Sequence, residues 1–199
     1  MNKIVAIGAI AALPLLAGCF DLEQGMVVEP NGMATLSVEM SIDSEMMALI
    51  ASLGEGDVDP CDDLESDFVP ASFTISSEEF ERDGDTVCRT VATGPLEDLA
   101  AETPDVIEDG DGIILVSEGG GVYRFETALT STNEGLGDLD DPDIVELFEG
   151  RTITFFLTAP RIIETNGEVD GDTVTLVVPA VELMAVEGDV FSMFVRFAL

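Results

Sequence analysis

Three cysteines, 41 acidic side chains and no histidine set the chemistry open to this chain. Cys61 and Cys88 are an even pair once Cys19 is set aside, and an even pair in a secreted chain reads as a disulfide. Closing that loop of about 28 residues is worth roughly 3.5 kcal/mol in the chain-entropy model. The alternative is a metal site, but two thiols without histidine make a poor zinc site, so no metal ligands are expected. A serine or threonine nucleophile would lack its activating base, because histidine is absent and Lys3 is the only lysine. Paired carboxylates could hydrolyse glycosides, yet spacing singles out no pair. Two acidic stretches partly match a calcium loop. Asp109, Asp111, Gly112 and Glu118 do so with Ile107 in the first ligand position, and Asn166, Glu168, Asp170 and Gly171 with Val177 in the last. Both read as acidic hairpin turns. The expectation is a non-enzymatic chain with no catalytic residues and no cofactor.

Cys19 has different surroundings. Lys3 is followed by an apolar run, Ile4 to Leu16, and then by Ala17 and Gly18. A charged start, an apolar stretch and a small-residue site mark a secretory signal, and this run is short of the roughly 20 residues that span a bilayer. Leu16-Ala17-Gly18-Cys19 resembles the bacterial lipobox. That resemblance implies cleavage before Cys19, lipidation of Cys19, and a chain held at the membrane through its N-terminal acyl chains; two chains anchor stably where one does not. Phe20 follows the cysteine where an aspartate resembles an inner-membrane retention signal, which points to the outer membrane, facing the periplasm. A plain signal peptide with a chance cysteine is the alternative. The expected organisation is a signal peptide over 1–18, an acylated cysteine and short tether over 19–24, and a single domain over 25–199.

The formal net charge of −34 argues against nucleic acid, whose phosphates need clustered lysine and arginine. Anionic headgroups should repel such a surface, so attachment must come from acyl chains rather than charge. Acidity with few aromatics can mean disorder, but 46% of the residues are hydrophobic and well spread, which favours a folded body.

Period-two patterning dominates that body. Ala34, Leu36, Val38, Met40 and Ile42 alternate with polar residues after Glu29-Pro30-Asn31-Gly32, a hairpin turn following Met26 to Val28. Further hairpins are predicted from Phe73–Arg82 to Thr86–Thr93 across Asp83-Gly84-Asp85, and from Ile113–Ser117 to Val122–Thr130 across three glycines. Strands are also expected over 152–157, 161–165, 173–178 and 190–197. Three helices intersperse them: one carrying the stripe Met46, Leu49, Ile50 and Leu53, one over 95–102, and one from Pro142 to Phe148. The predicted fold is α+β, a largely antiparallel sheet built from hairpins and covered on one face by three short helices.

The stretch Ile153 to Gly167, with Pro160 closing a strand and Thr165-Asn166-Gly167 leading into Thr173-Val174-Thr175, resembles the LppM-type lipoprotein domain. The Val27 to Gly32 hairpin and the glycine-rich hairpin sit in that family's order. Leu176 stands where the family often has an aromatic. The resemblance implies a membrane-tethered envelope domain that looks like lipid-carrying folds, with lipid or another apolar envelope component as ligand. The lining would then come from Met46, Leu49, Ile50 and Leu53 and from the last strand's Phe191 and Phe194, with Arg161 and Arg196 as polar anchors. The rival is an envelope scaffold that binds a protein partner and has no ligand cavity. A cavity above roughly 300 Å³ separates the two readings.

Overall fold

The structure, a computed structural model, describes residues 20–44, 61, 69–103, 112–130, 148–185 and 189–199. Alternation becomes strand almost everywhere it was read. The first hairpin joins β1 (Phe20–Val28) to β2 (Met33–Ile42), and the second joins β3 (Thr74–Arg82) to β4 (Asp85–Pro95). Helix α1 (Leu96–Glu102) follows, with Leu96 and Leu99 buried. Next come β5 (Gly112–Gly119), β6 (Val122–Thr130), β7 (Thr152–Thr158), β8 (Arg161–Thr165), β9 (Glu168–Asp170) and β10 (Thr173–Pro179). Helix α2 (Ala180–Ala185) and β11 (Val190–Ala198) close the chain. The predicted helix through Met46 lies outside the described residues, as does the body of the one from Pro142; Phe148, at its end, is buried.

The α+β expectation is overturned. Among the described residues there are eleven strands and only two short helices, and the strands form two sheets rather than one. The larger sheet runs β3-β4-β2-β1-β7-β10-β9 and the smaller β5-β6-β11-β8. The physical reason is area. So many strands with one apolar face each present more surface than short helices can cover, and sheet-on-sheet packing buries it. The core therefore lies between Leu22, Met26, Val28, Met40, Phe155, Leu157 and Val174 of the larger sheet and Leu115, Phe125, Met193, Val195 and Phe197 of the smaller.

Pairing is not wholly antiparallel. β1 and β7 run parallel, with Leu22 beside Ile153 and Met26 beside Leu157, which places two distant segments at the centre of the larger sheet. Their contact is close on the outer face as well, where the Phe156 ring occupies the space a Cβ would need at Gly25. The strand also begins earlier than expected. Phe20 already pairs with Ile42, so the residues read as a tether after Cys19 are the first half of β1.

The turns obey local chemistry. Gly32 has φ 83°, and Asn31 Oδ1 accepts the Met33 N–H at 2.8 Å, the bond by which an asparagine side chain braces a turn against its own backbone. Gly119, Gly120 and Gly121 hold φ of 87°, 65° and 77°, a run of left-handed backbone that only glycine adopts freely. That geometry explains the triple glycine as a turn. The start of α1 is tied down by the Leu96 N–H, which donates to Gly32 O at 2.9 Å.

Candidate functional site

A small apolar cavity lies between the two sheets. Its walls are Gln24, Gly25 and Met26 of β1, Leu36, Ser37 and Val38 of β2, Phe155 of β7, Ile113 of β5 and Phe125 of β6. Register explains the set: Gln24 pairs with Val38 and sits beside Phe155, and Met26 pairs with Leu36, so these residues share the inner face. Ile113 and Phe125 belong to the facing row of the smaller sheet. The volume open to the centre of a water-sized sphere is about 30 Å³. That admits a water or two, whereas ligand pockets span roughly 300–1,000 Å³. Gln24 is the polar side chain on the inner face of this wall, since Ser37 pairs with Gly25 on the alternate face. Sequence reading missed it because Asp21, Glu23 and Gln24 break up the apolar run; the signal was the register Leu22, Gln24, Met26, Val28, one amide in a hydrophobic row.

Of the residues expected to line a ligand site, the described ones, Phe191, Phe194, Arg161 and Arg196, are not among these walls. Met46, Leu49, Ile50 and Leu53 lie outside the described residues, as does Cys19. Phe191 faces the core side of β11 opposite Leu129, beyond the cavity walls. Phe194 points to the other face of β11, and its N–H donates to Asn166 Oδ1 at 2.6 Å. Arg161 is exposed, and Arg196 Nε donates to Glu118 Oε2 at 2.6 Å. Asn166 and Glu118 thus serve strand pairing and an ion pair rather than a calcium loop. Among the described residues no group of three or more acidic, histidine or cysteine side chains is placed to hold a metal ion.

Cys61 and Cys88 are joined in a disulfide, with Cα atoms 5.3 Å apart. Cys88 is fully buried opposite Met40, so the bridge holds Cys61 to the core side of β4.

Two charged clusters occupy the larger sheet. On the outer face, Glu39 Oε1 meets Arg82 Nη1 at 2.6 Å, and Glu39 Oε2 accepts from Arg89 Nε at 2.7 Å and also from Arg89 Nη2. Arg89 lies over the Phe80 ring at 5.2 Å and reaches Glu78 at 3.2 Å. Burial pushes the Glu39 carboxyl upward, but the hydrogen bonds and charges of Arg89 and Arg82 outweigh it and hold the group below 4.5. At one end of the sheet Arg151 does the converse. Its guanidinium meets Asp21 at 3.1 Å and Asp43 at 2.8 Å, with Asp85 at 3.9 Å. Burial pulls the Arg151 pKa down, and Asp21, Asp43 and Asp85 more than reverse that.

No family model matches the chain, and no curated protein matches it. Among solved structures the chain is similar to the NMR structure of the LppM folded domain from Mycobacterium tuberculosis, at 14% sequence identity and a TM-score of 0.49, over 90% of this chain and 90% of that one.

Proposed function

We propose that this chain is a non-enzymatic lipoprotein of the bacterial envelope, tethered through an acylated Cys19, whose body is an interaction module for a protein partner. The observation that carries this choice is that, among the described residues, the cavity between the sheets is about 30 Å³, an order of magnitude below ligand size. A lipid carrier needs an apolar hollow between its layers; here Met26, Leu157, Val174, Met193, Val195 and Phe197 fill that space. The lipobox-like Leu16-Ala17-Gly18-Cys19 supports the tether and the envelope location. Outer-membrane placement, facing the periplasm, rests on Phe20 after the cysteine.

The test separates body from anchor. Protein lacking residues 1–18 and carrying Cys19→Ser is expected to take up no fluorescent fatty acid and to yield no stoichiometric lipid on extraction and mass spectrometry. One lipid per chain would overturn the module reading in favour of an apolar-ligand carrier. For the anchor, labelled palmitate should enter the full chain in cells and not its Cys19→Ser variant; equal membrane attachment of the two would remove the tether.

A further inference from the structure

Two neighbouring rows on the outer face of the larger sheet carry no charge, in a chain whose net charge is −34. The first runs Thr175, Phe156, Gly25, Ser37, Val91 and Ser76 across β10, β7, β1, β2, β4 and β3. The second lies nearer the Asn31-Gly32 turn and runs Thr173, Thr158, Val27, Thr35, Thr93 and Thr74 across the same strands. Carboxylates frame them. β9 closes the rows with Glu168 and Asp170, and the next row along the strands brings Glu23, Glu39 and Glu78. Glu39 and Glu78 share Arg89, so the framing carboxylates with no arginine among the described residues are Glu23, Glu168 and Asp170, all exposed. Resting on the interaction-module reading, we propose that these two rows are the centre of the docking face, and that its occupant is a protein whose own uncharged patch is ringed by lysine and arginine.

Loss of charge at the centre, with charge kept at the rim, is the compositional mark of a protein interface. The rows are also prepared for drying. Thr158 and Thr173 share a hydroxyl hydrogen bond of 2.8 Å, and Thr35 and Thr93 one of 3.2 Å. Each pair satisfies one hydroxyl proton within the face, which lowers the cost of covering it. Between the pairs stands Val27, 38% exposed, and the Phe156 ring lies across Gly25 and flattens the surface. Phe73, which leads into β3, packs on the opposite side of the sheet against Gly94 and the core. Size then fixes the partner's chemistry. Six strands about 4.8 Å apart and two side-chain rows about 6.8 Å apart cover roughly 400 Å². A stable interface takes about 800 Å² from each partner, so the contact must extend over the acidic frame. A second copy would set carboxylate against carboxylate there, whereas a basic ring complements it.

The experiment uses the full chain in the cells that make it, with a photo-reactive amino acid placed in turn at Val27, Thr93 and Thr175. Ile163 and Ser117, exposed on β8 and β5 of the smaller sheet, are the control positions. The three row positions should cross-link to the same protein, and mass spectrometry should place the links in peptides where lysine or arginine borders an uncharged stretch. Read at Thr175, Val27→Glu and Thr93→Glu should each lower the yield about tenfold, because a carboxylate dried in an uncharged centre has no partner. Thr93→Ser should keep the yield, and matching urea midpoints show that the variants are folded. In isolated membranes, raising the salt before irradiation should lower the yield as well, since the frame is exposed. Capture from Ile163 or Ser117 that equals or exceeds capture from the rows overturns this face and leaves the module reading standing. Cross-links to a second copy of the chain, or to a contact without basic residues, overturn the occupant. No protein captured from any of these positions overturns the module reading and this face with it.

Discussion

The two charged clusters of the larger sheet are built with opposite stoichiometry. On the outer face one carboxylate, Glu39, is held by two guanidiniums, Arg82 and Arg89. At the sheet end one guanidinium, Arg151, is held among three carboxylates, Asp21, Asp43 and Asp85. In a chain with 41 acids and seven basic residues, arginine is the scarce partner. The difference teaches where this fold is vulnerable. Losing the single carboxylate leaves two cations that still have Glu78 and water, whereas losing the single cation leaves three anions facing one another across three strand ends.

Arg151→Gln should therefore be the more damaging of the paired changes. The Arg151 side chain is 22% exposed, so its loss falls below that of a fully buried pair, at about 2–3 kcal/mol of stability in urea unfolding. Added salt should recover part of the loss by screening the three aspartates. Asp43→Asn in the same background should recover more, because it removes one of the opposing charges. If Arg151→Gln costs no more than Glu39→Gln, the asymmetry between the clusters is wrong.

Neither cluster was legible in the sequence, and the reason is physical. Arg151 collects residues 21, 43 and 85 through strand pairing, and the central parallel pair β1–β7 joins segments that no turn connects. Alternation tells which face a side chain takes but not which strand lies beside it. Local rules did better. The Asn31-Gly32 turn, the triple-glycine turn and Pro95 ahead of α1 were readable because each is decided within a few residues. The Cys61–Cys88 bridge was readable by elimination. The division into two sheets was not, since it depends on β8 leaving β7 to pair with β11. Gln24 escaped because its meaning appears only once β1 starts at Phe20.

Glu39→Gln isolates the other half of the comparison. It keeps the shape and one acceptor while removing the charge that both arginines share, and with Arg82 and Arg89 partly in water the expected cost is about 1 kcal/mol.

Acid titration sharpens the contrast further, at smaller amplitude. The Glu39 carboxyl is held below 4.5 in the folded chain, so the unfolded chain binds its proton first as pH falls. Its contribution is thus fully present above the unfolded value and is lost as pH drops from about 4.5 through the lowered folded value. Arg151 titrates the other way: its raised pKa keeps its contribution present through the acid and neutral range and lost only in strong alkali. Urea unfolding between pH 6 and pH 3 should therefore show a shallower stability loss in Glu39→Gln than in the parent chain. An acid limb unchanged by Glu39→Gln would mean that its two arginines do not favour the ionised form, and that the outer-face cluster is a solvated contact rather than a clamp.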